Sequence, residues 1–397
     1  MTKAQTQPRI GQRVVIVGGG VFGCTAALKL QSRGWSVSIV NPGTPPNEDA
    51  SSTDVSKVVR MDYGSDVFYH ELGEIAIEGW KSWNRDWQKS LYHEDGFLIL
   101  SHGRMKLGQY EYENRKVLEQ RGYNTERLTT NQIANRYPAW DFSEYPDGYF
   151  NPHGGWVESG SVMEHLVHLC KARGIQFHSG QMHQLQSKGS RISGVLTNDG
   201  NMVTGEIVVV AAGAWTPTLL PWLSDVLWST GQPVLHFLPD NPDPFRADRF
   251  PPWSADISTS GWYGFPALAD GRVKVAHHGK GIRIHPEARE TVGVNHEART
   301  RKFLSTAIPT LSDAPIVYRR ICMYCDTFDG NFFIGHDPDR EGLVVAAGGS
   351  GHAFKFAPVL GEIVADAVEH QHNKWGTRFA WRKASAHASE EARYTGE

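Results

Sequence analysis

The stretch Val14-Val15-Ile16-Val17-Gly18-Gly19-Gly20-Val21-Phe22-Gly23 decides the fold of this chain. Its four β-branched residues predict a short buried strand, as found inside parallel sheets. The next residues have the spacing G-x-G-x-x-G. There the first glycine permits a tight turn, the second lets the backbone approach a pyrophosphate, and the third lets a helix pack closely on the strand. We therefore expect a dinucleotide site at this turn.

The residues that follow complete a strand–helix–strand unit. A helix is predicted over residues 21–33, ended by Gly34, and a second strand over residues 35–40. A phosphate would bind at the N-terminus of this helix, where unpaired N–H groups and the helix dipole favour an anion. The second strand is followed by Asn41, where the fingerprint has an acidic residue for the ribose. An Asn carbonyl can accept the same hydrogen bond without the charge, so Asn41 stays a candidate.

Composition excludes several classes of protein. A chain of 397 residues can bury a large core and predicts two structural units. Its net charge of −3 gives no electrostatic footprint for nucleic acid or an anionic membrane. Residues 1–13 lack the apolar region of a signal peptide, and no apolar run approaches the length of a membrane span. Its four cysteines are too few for a disulfide framework, so a cytoplasmic location is expected.

Apolar strands like the first return later in the chain. They are predicted at residues 207–212, before Gly213-Ala214-Trp215, and at residues 342–347, before Gly348-Gly349-Ser350-Gly351. Residues 215–312 are rich in Pro, Trp and charge, and predict only short strands at 261–265 and 273–277. The nucleotide domain is therefore predicted to be discontinuous, over residues 1–85, 150–220 and 315–397. Residues 86–149 and 221–314 would form the second domain.

Four patches together resemble a known group of enzymes. They are residues 18–23, Asp54-Val55-Ser56-Lys57-Val58-Val59-Arg60, Cys322-Met323-Tyr324-Cys325-Asp326-Thr327 and Ser350-Gly351-His352-Ala353-Phe354-Lys355-Phe356. In order and spacing the chain resembles the monomeric sarcosine oxidase and fructosyl amino acid oxidase (amadoriase) family of flavoenzymes over nearly its whole length. The resemblance implies an α/β fold of the glutathione-reductase-2 or D-amino acid oxidase-like type. A doubly wound, Rossmann-like FAD domain would be combined with a discontinuous β-sheet substrate domain.

The same resemblance implies an activity. A flavin-dependent oxidase would act on the C–N bond of a secondary amine, with an N-methyl, N-alkyl or cyclic amino acid as the main expectation. Oxygen would be the acceptor and hydrogen peroxide a product, and the enzyme would be a monomer or homodimer without nucleic acid or membrane partners. The alternatives are a fructosyl amino acid oxidase, a biosynthetic amine oxidase and a non-catalytic FAD-binding protein.

Cys322 matches the cysteine that, in this family, is bonded covalently to the flavin 8-methyl group. A thiolate must attack the oxidised flavin, so a nearby cation and some burial are expected. The alternatives are a pair of buried thiols or a metal site at Cys322 and Cys325. No second Cys/His pair stands at zinc-like spacing, so we expect no metal, and Cys325 is expected to pack.

Lys274 matches the family lysine near flavin N5 that promotes the reaction of reduced flavin with oxygen. A fixed cation would stabilise the superoxide anion formed in the first electron transfer. The alternative is a solvated lysine on a strand. Tyr263 and His278 match active-site positions of the sarcosine oxidase branch. His277 leaves that assignment ambiguous by one residue, although strand alternation lets only one of the two histidines face the flavin.

Arg60 and Lys355 match the residues that hold the substrate carboxylate in the sarcosine oxidase branch. Arg suits a carboxylate because its planar fork binds both oxygens. Lys57 stands where that branch has an arginine over the flavin, yet Asp54 to Lys57 resembles the fructosyl branch. A solvated basic helix face is the alternative for this group. The resemblance implies cofactor contacts from Gly18, Gly20, Val21, Phe22, Gly23, Asn41, Ser51, Ser52, Lys57, Cys322, Gly349, Gly351, Phe354 and Lys355.

Overall fold

The computed structural model describes residues 11–289 and 292–396, so the first ten residues of the predicted nucleotide domain lie outside the described part. The strands are β1 (Arg13–Val17), β2 (Ser36–Asn41), β3 (Lys57–Arg60), β4 (Tyr92–His93), β5 (Phe97–Ser101), β6 (Glu126–Thr129), β7 (Asp147–Asn151), β8 (Gly154–Val157), β9 (Gln176–Ser179), β10 (Met182–Lys188), β11 (Arg191–Thr197), β12 (Met202–Thr204), β13 (Ile207–Val210), β14 (Leu227–Phe237), β15 (Trp253–Ala255), β16 (Trp262–Ala267), β17 (Val273–His277), β18 (Ile282–Arg283), β19 (Ile316–Thr327), β20 (Phe333–His336) and β21 (Leu343–Ala347).

The helices account for most of the remaining regular structure. They are α1 (Val21–Ser32), α2 (Val67–Trp87), α3 (Tyr110–Gln120), α4 (Thr130–Arg136), α5 (Ser159–Ala172), α6 (Thr216–Leu219), α7 (Ile257–Ser260), α8 (Val294–Ala307), α9 (Pro309–Ser312), α10 (Ala357–Val368) and α11 (Gly376–Phe379). Within the described ranges, no helix combines the length and the apolar character needed to cross a membrane.

The chain forms two compact units, each discontinuous in sequence. The first comprises Met1–Val55, Ser159–Ser229 and Tyr324–Ala388, and the second Ser56–Glu158, Thr230–Met323 and Ser389–Glu397. These bounds differ from the predicted domains. Residues 56–85, 150–158, 315–323 and 389–397 lie in the second unit, and residues 221–229 lie in the first. One reason is that β3 is only four residues long and pairs with β8 inside the second unit, and so short a strand shows little periodicity in sequence. The cofactor and substrate roles of the units stay predictions.

A six-stranded sheet forms the centre of the first unit. Its strand order is β20-β21-β13-β1-β2-β9, and every neighbouring pair is parallel except β20 with β21. The four apolar residues of β1 are at most 4% exposed, as expected for a parallel strand covered on both faces. The strand and helix order around the opening glycines is the one that the sequence predicts, and the α/β fold class is confirmed.

Helix α1 is held by close backbone contacts on two sides. A Cβ at Gly23 would lie 1.9 Å from the carbonyl oxygen of Gly18, and one at Gly361 of α10 would lie 2.4 Å from the carbonyl oxygen of Thr25. Only glycine allows these distances. At the end of α1, Arg33 pairs with Asp366 at 2.7 Å and with Glu369 at 2.8 Å. These contacts fix the direction of α1 and therefore the position of its N-terminus.

A larger sheet organises the second unit. Its strands follow the order β18-β14-β17-β16-β15-β5-β7-β6, and β19 pairs with β14. One face of this sheet carries the hydrophobic core, to which Val273 and Val275 of β17 and Leu235 of β14 belong. Helix α8 contributes Phe303, and Trp253 of β15 stacks on that ring with centroids 5.9 Å apart. The residues between these core positions must point to the other face of the sheet.

Candidate active site

The turn between β1 and α1 in the first unit presents backbone donors. The Gly19 N–H donates to Oδ1 of Asn41 at 3.0 Å, and the Val21 N–H donates to Oγ of Ser52 at 3.0 Å. In the described part of the chain, the N–H groups of Gly20, Phe22 and Gly23 have no acceptor. Because these donors belong to the start of a helix, they suit an anionic group such as the pyrophosphate of FAD.

Asn41 closes this turn. Its Oδ1 accepts the Gly19 hydrogen bond, and its Nδ2 donates to the carbonyl oxygen of Pro42 at 3.1 Å. An acidic residue could accept from Gly19 but could not donate to Pro42. The structure thus gives Asn41 a positioning role that the sequence did not suggest, and its contact with a ribose stays a prediction. Ser52 also contacts the turn through its hydrogen bond with Val21. The neighbouring Ser51 is half-buried.

The late glycine turn of the first unit follows β21. The Ser350 N–H donates to the carbonyl oxygen of Cys325 at 2.9 Å, and Gly351 has a φ of +78°. A Cβ at Gly351 would lie 2.1 Å from the ring of Tyr324, so the turn packs tightly on that ring. This turn contains Gly349 and leads into a short 3-10 helix at Phe354–Phe356. Lys355 is 6% exposed, and its Nζ donates to the carbonyl oxygen of His352 at 3.2 Å.

Strand alternation gathers several predicted residues on one face of the large sheet. Lys274 of β17 is paired with His236 of β14, opposite to the core face. Tyr263 is paired with Ala276, which lies on the same face as Lys274. The ring of Tyr318 lies 4.9 Å from that of His236, so the even-numbered residues of β19 share this face. Cys322 is one of them, and therefore Lys274, Tyr263 and Cys322 occupy one side of the sheet.

Lys274 is a buried cation. Its side chain is 2% exposed, its Nζ donates to the carbonyl oxygen of Ser56 at 2.7 Å, and it lies 4.6 Å from the ring centre of Phe265. Burial of an ammonium is costly unless such partners compensate. The solvated strand lysine that the sequence left open as an alternative is therefore wrong.

The two neighbouring histidines point in different directions. Nε2 of His277 lies 2.9 Å from the carbonyl oxygen of Ser260, and its ring contacts Trp262 on the core side. Nε2 of His278 lies 2.5 Å from Oε1 of Glu390. Burial lowers the pKa of His278, although the bond to Glu390 opposes this shift. By alternation His278, and not His277, follows the face of Lys274.

Arg60 lies in a group of buried polar side chains of the second unit. Its Nη1 donates to the hydroxyl of Tyr110 at 3.2 Å, its Nη2 lies 4.0 Å from Oε2 of Glu390, and its guanidinium lies 4.7 Å from the ring centre of Tyr63. Burial lowers the pKa of Arg60, but the neighbouring Tyr110 and Glu390 contribute to a larger upward shift. The net shift of the pKa is therefore upward. The charge is therefore permanent. Glu390 is a member of this group that sequence reasoning missed, because it lies in a polar stretch without any motif.

Lys57 and Arg60 do not share a face. They are three residues apart on β3, so their side chains leave the strand in opposite directions, and Lys57 is half-buried. The basic helix face that the sequence left open is wrong, since these residues form a strand. A role of Lys57 beside a flavin stays a prediction. Lys355 belongs to the first unit and Arg60 to the second.

The two cysteines of β19 also leave the strand on opposite sides. Cys325 lies in the hydrophobic core of the first unit, and burial raises the pKa of its thiol to about 12. Cys322 is 5% exposed and lies on the face of Lys274. Both thiols are free. Within residues 11–289 and 292–396, no group of three or more His, Cys, Asp or Glu side chains is arranged to hold a metal ion.

The sequence also matches a known protein family. The family model described as FAD dependent oxidoreductase (DAO) covers residues 13–367. The chain belongs to this family. The matched residues include the glycine turn, Lys274 and Cys322, and the late turn with Lys355. FAD is therefore the cofactor whose pyrophosphate the N–H groups of the first turn are expected to bind.

Relatives of this FAD-dependent oxidoreductase have amine oxidase activities in their names. The chain is 25% identical over 357 residues to monomeric sarcosine oxidase of Bacillus sp. (strain B-0618), which covers 89% of this chain and 90% of that protein. It is 26% identical over 369 residues to N-methyl-L-tryptophan oxidase of Salmonella dublin, and the alignment covers 89% of this chain and 93% of that protein. The crystal structure of fructosamine oxidase (amadoriase II) from Aspergillus fumigatus has the same fold, with a TM-score of 0.83 and 23% identity. The superposition covers 97% of this chain and 94% of that one.

We predict that Asn41→Ala weakens FAD binding, tested in a Cys322→Ala background so that no covalent bond through that thiol can form. Without this acceptor the turn must be ordered when FAD binds, and the Kd of FAD should rise by up to roughly 150-fold, the limit at which the full cost of about 1–3 kcal/mol for the lost hydrogen bond appears in binding. Quenching of FAD fluorescence during titration of the apoprotein measures this. Asn41→Asp keeps the acceptor and should bind FAD more tightly than the alanine variant. Equal Kd values for Asn41→Ala and its parent would contradict the positioning role.

Proposed function

We propose that this oxidoreductase oxidises the C–N bond of a secondary amine that carries a carboxylate, with an N-methyl, N-alkyl or cyclic amino acid as substrate. The observation that carries the proposal is the buried, permanently charged fork of Arg60 next to His278 and Glu390. Such a fork suits a carboxylate. The names of two relatives support the same class, because sarcosine and N-methyl-L-tryptophan are both N-methyl amino acids.

The protein groups would act mainly by binding and positioning. FAD, when bound, would supply the hydride acceptor and the route by which electrons reach oxygen, with hydrogen peroxide as product. Arg60 and Lys355 bind the substrate carboxylate, while Tyr263 and His278 line the reacting carbon and amine. Lys274 holds a fixed positive charge that stabilises the anion formed when oxygen takes its first electron. Gly20, Val21, Phe22 and Gly23 would hold the pyrophosphate, and Gly349, Gly351 and Phe354 would also contact the cofactor.

A second candidate is a fructosyl amino acid oxidase. Asp54 to Lys57 resembles the fructosyl branch. A fructosyl amino acid is also a secondary amine with a carboxylate, so the role of Arg60 is the same in both candidates. A non-catalytic protein is disfavoured because Cys322, Lys274 and Lys355 are all present, whereas loss of the activity would be expected to affect these residues first. The monomeric or homodimeric state and the cytoplasmic location stay predictions.

The first test concerns the cofactor link. We propose that Cys322 is bonded to the flavin 8-methyl group, so acid-precipitated protein should stay yellow and Cys322→Ala should release its flavin into the supernatant. Cys325→Ser is the matched control, because Cys325 points into the core on the other side of the strand, and its flavin should stay bound. Absorbance of pellet and supernatant measures both. Flavin lost equally from the unchanged protein and Cys322→Ala would contradict the link.

The second test concerns oxygen. Lys274→Met removes the positive charge but keeps much of the aliphatic stem, so flavin reduction by substrate should change less than reoxidation. Loss of a preorganised charge usually costs on the order of a hundredfold in rate. Stopped-flow absorbance separates the two half-reactions. Reoxidation within about threefold of the unchanged enzyme would show that Lys274 has another role.

The third test concerns the substrate class. Peroxide release is screened with sarcosine, pipecolate, N-methyl aromatic amino acids and fructosyl amino acids, and the best substrate is compared with its decarboxylated amine. Loss of the carboxylate that Arg60 binds should lower kcat/KM by tens- to thousands-fold, equal to about 2–5 kcal/mol. Equal turnover of the amine would mean that Arg60 and Lys355 do not bind a substrate carboxylate.

A further inference from the structure

The C-terminal segment Ser389–Glu397 is part of the second unit and is tied to the residues after β17. Nε of Arg393 donates to the carbonyl oxygen of Gly279 at 2.8 Å, and the Tyr394 N–H donates to the carbonyl oxygen of His278 at 3.0 Å. Ala392, 1% exposed, packs in a small cluster with Tyr110 and Ile257. These contacts hold the segment beside the side chains that the proposed function assigns to the substrate.

Glu390 enters this group from the C-terminal segment. Its side chain is 3% exposed, with Oε1 at 2.5 Å from Nε2 of His278 and Oε2 at 4.0 Å from Nη2 of Arg60. The ion pair with Arg60 is long, at the outer limit for such a contact, so the guanidinium is not engaged in a close fork with Glu390. Arg60 and Glu390 therefore bring one guanidinium and one carboxyl group to the same place.

This pair of charges has a consequence for ligands. A carboxylate that binds the fork of Arg60 is repelled by the carboxylate of Glu390, whereas an ammonium close to Glu390 is attracted. The carboxylate and the ammonium of an amino acid carry these two charges on groups attached to the same carbon atom. A buried site responds strongly to such charges, because water screens them little.

We propose that Glu390 is a specificity-determining residue that binds the ammonium of a zwitterionic substrate while Arg60 binds its carboxylate. This inference rests on the proposed function of Arg60. The segment Ser389–Glu397 therefore supplies half of the charge pattern that selects amino acids over simple carboxylates. Neither the family match nor the names of the relatives assigns a role to Glu390.

The experiment measures binding of the two halves of the substrate separately. Anaerobic holoenzyme is titrated with acetate and with dimethylamine, and the change in the flavin absorption spectrum gives each Kd. In Glu390→Gln, which keeps the shape and a hydrogen-bonding group but removes the charge, acetate should bind at least tenfold more tightly. Dimethylamine should bind at least tenfold more weakly. A residue that only anchors the segment would shift both Kd values in the same direction or neither.

Glu391→Gln is the matched control. Glu391 is the next residue, is exposed, and accepts a hydrogen bond from the Ser65 N–H at 2.8 Å. Both Kd values should stay within twofold of the unchanged enzyme. If Glu390→Gln does not fold, Glu390→Asp is used instead, because it draws the carboxylate back by one methylene. Acetate should then bind more tightly and dimethylamine more weakly, as in Glu390→Gln but by smaller factors.

The outcomes distinguish the role of Glu390 from the proposed oxidase activity. An acetate Kd within threefold of the unchanged enzyme in both Glu390 variants overturns the role of Glu390, whatever substrate is oxidised. Opposite shifts of acetate and dimethylamine support it even if the peroxide screen finds no N-substituted amino acid. A negative peroxide screen would refute only the proposed oxidase activity, because the titrations require no turnover.

Discussion

The close approach of α1 to β1 is the constraint on which the first unit depends. Gly18 and Gly23 bring a carbonyl oxygen and a helix Cα so near that no side chain fits between them. Gly361 repeats this on the opposite side, where α10 approaches the backbone of Thr25. With α1 fixed from both sides, the free N–H groups of its first turn point to one place. An anion there gains from several aligned donors without reorganisation of the chain.

The second unit depends on the alternation of its strands. Every odd position of β17 from Val273 to Val275 adds to the hydrophobic core, so Lys274 between them is forced to the other face. The core thereby positions the polar face, since a slip of one residue would bury the lysine among aromatic rings. The same rule separates Cys322 from Cys325 and His278 from His277. A functional face is thus created by the same residues that stabilise the sheet.

Sequence reasoning recovered the elements with a strong local signal. The helix predicted over residues 21–33 is α1, and the strand predicted over residues 273–277 is β17. It missed the long strand β14, which passes through Gly231 and Pro233, two residues that usually interrupt strands. It also missed α8, whose polar surface hides a few core contacts such as Phe303. Tertiary pairing overrides local preference in both cases.

The candidate site shows the same division. Lys274, Cys322 and His278 stand within patterned stretches, so their positions could be inferred from alternation and resemblance. Asn41 as a clamp on Gly19, and Glu390 beside Arg60, could not. Each depends on a contact between segments far apart in the chain, and neither segment has a pattern that predicts its partner. Such contacts are visible only after the chain has folded.

The charges around Arg60 also limit which group can give the reaction its pH dependence. A lysine at this position would tend to lose its proton when buried, whereas the pKa of Arg60 is shifted upward. Burial lowers the pKa of His278, so its ring gains a proton only in acid. Both shifts move the titrations of these residues away from the neutral range. Under the proposed function, the amine of the substrate, with an ordinary pKa of about 10 for an alkylamine, is one group that titrates in that range.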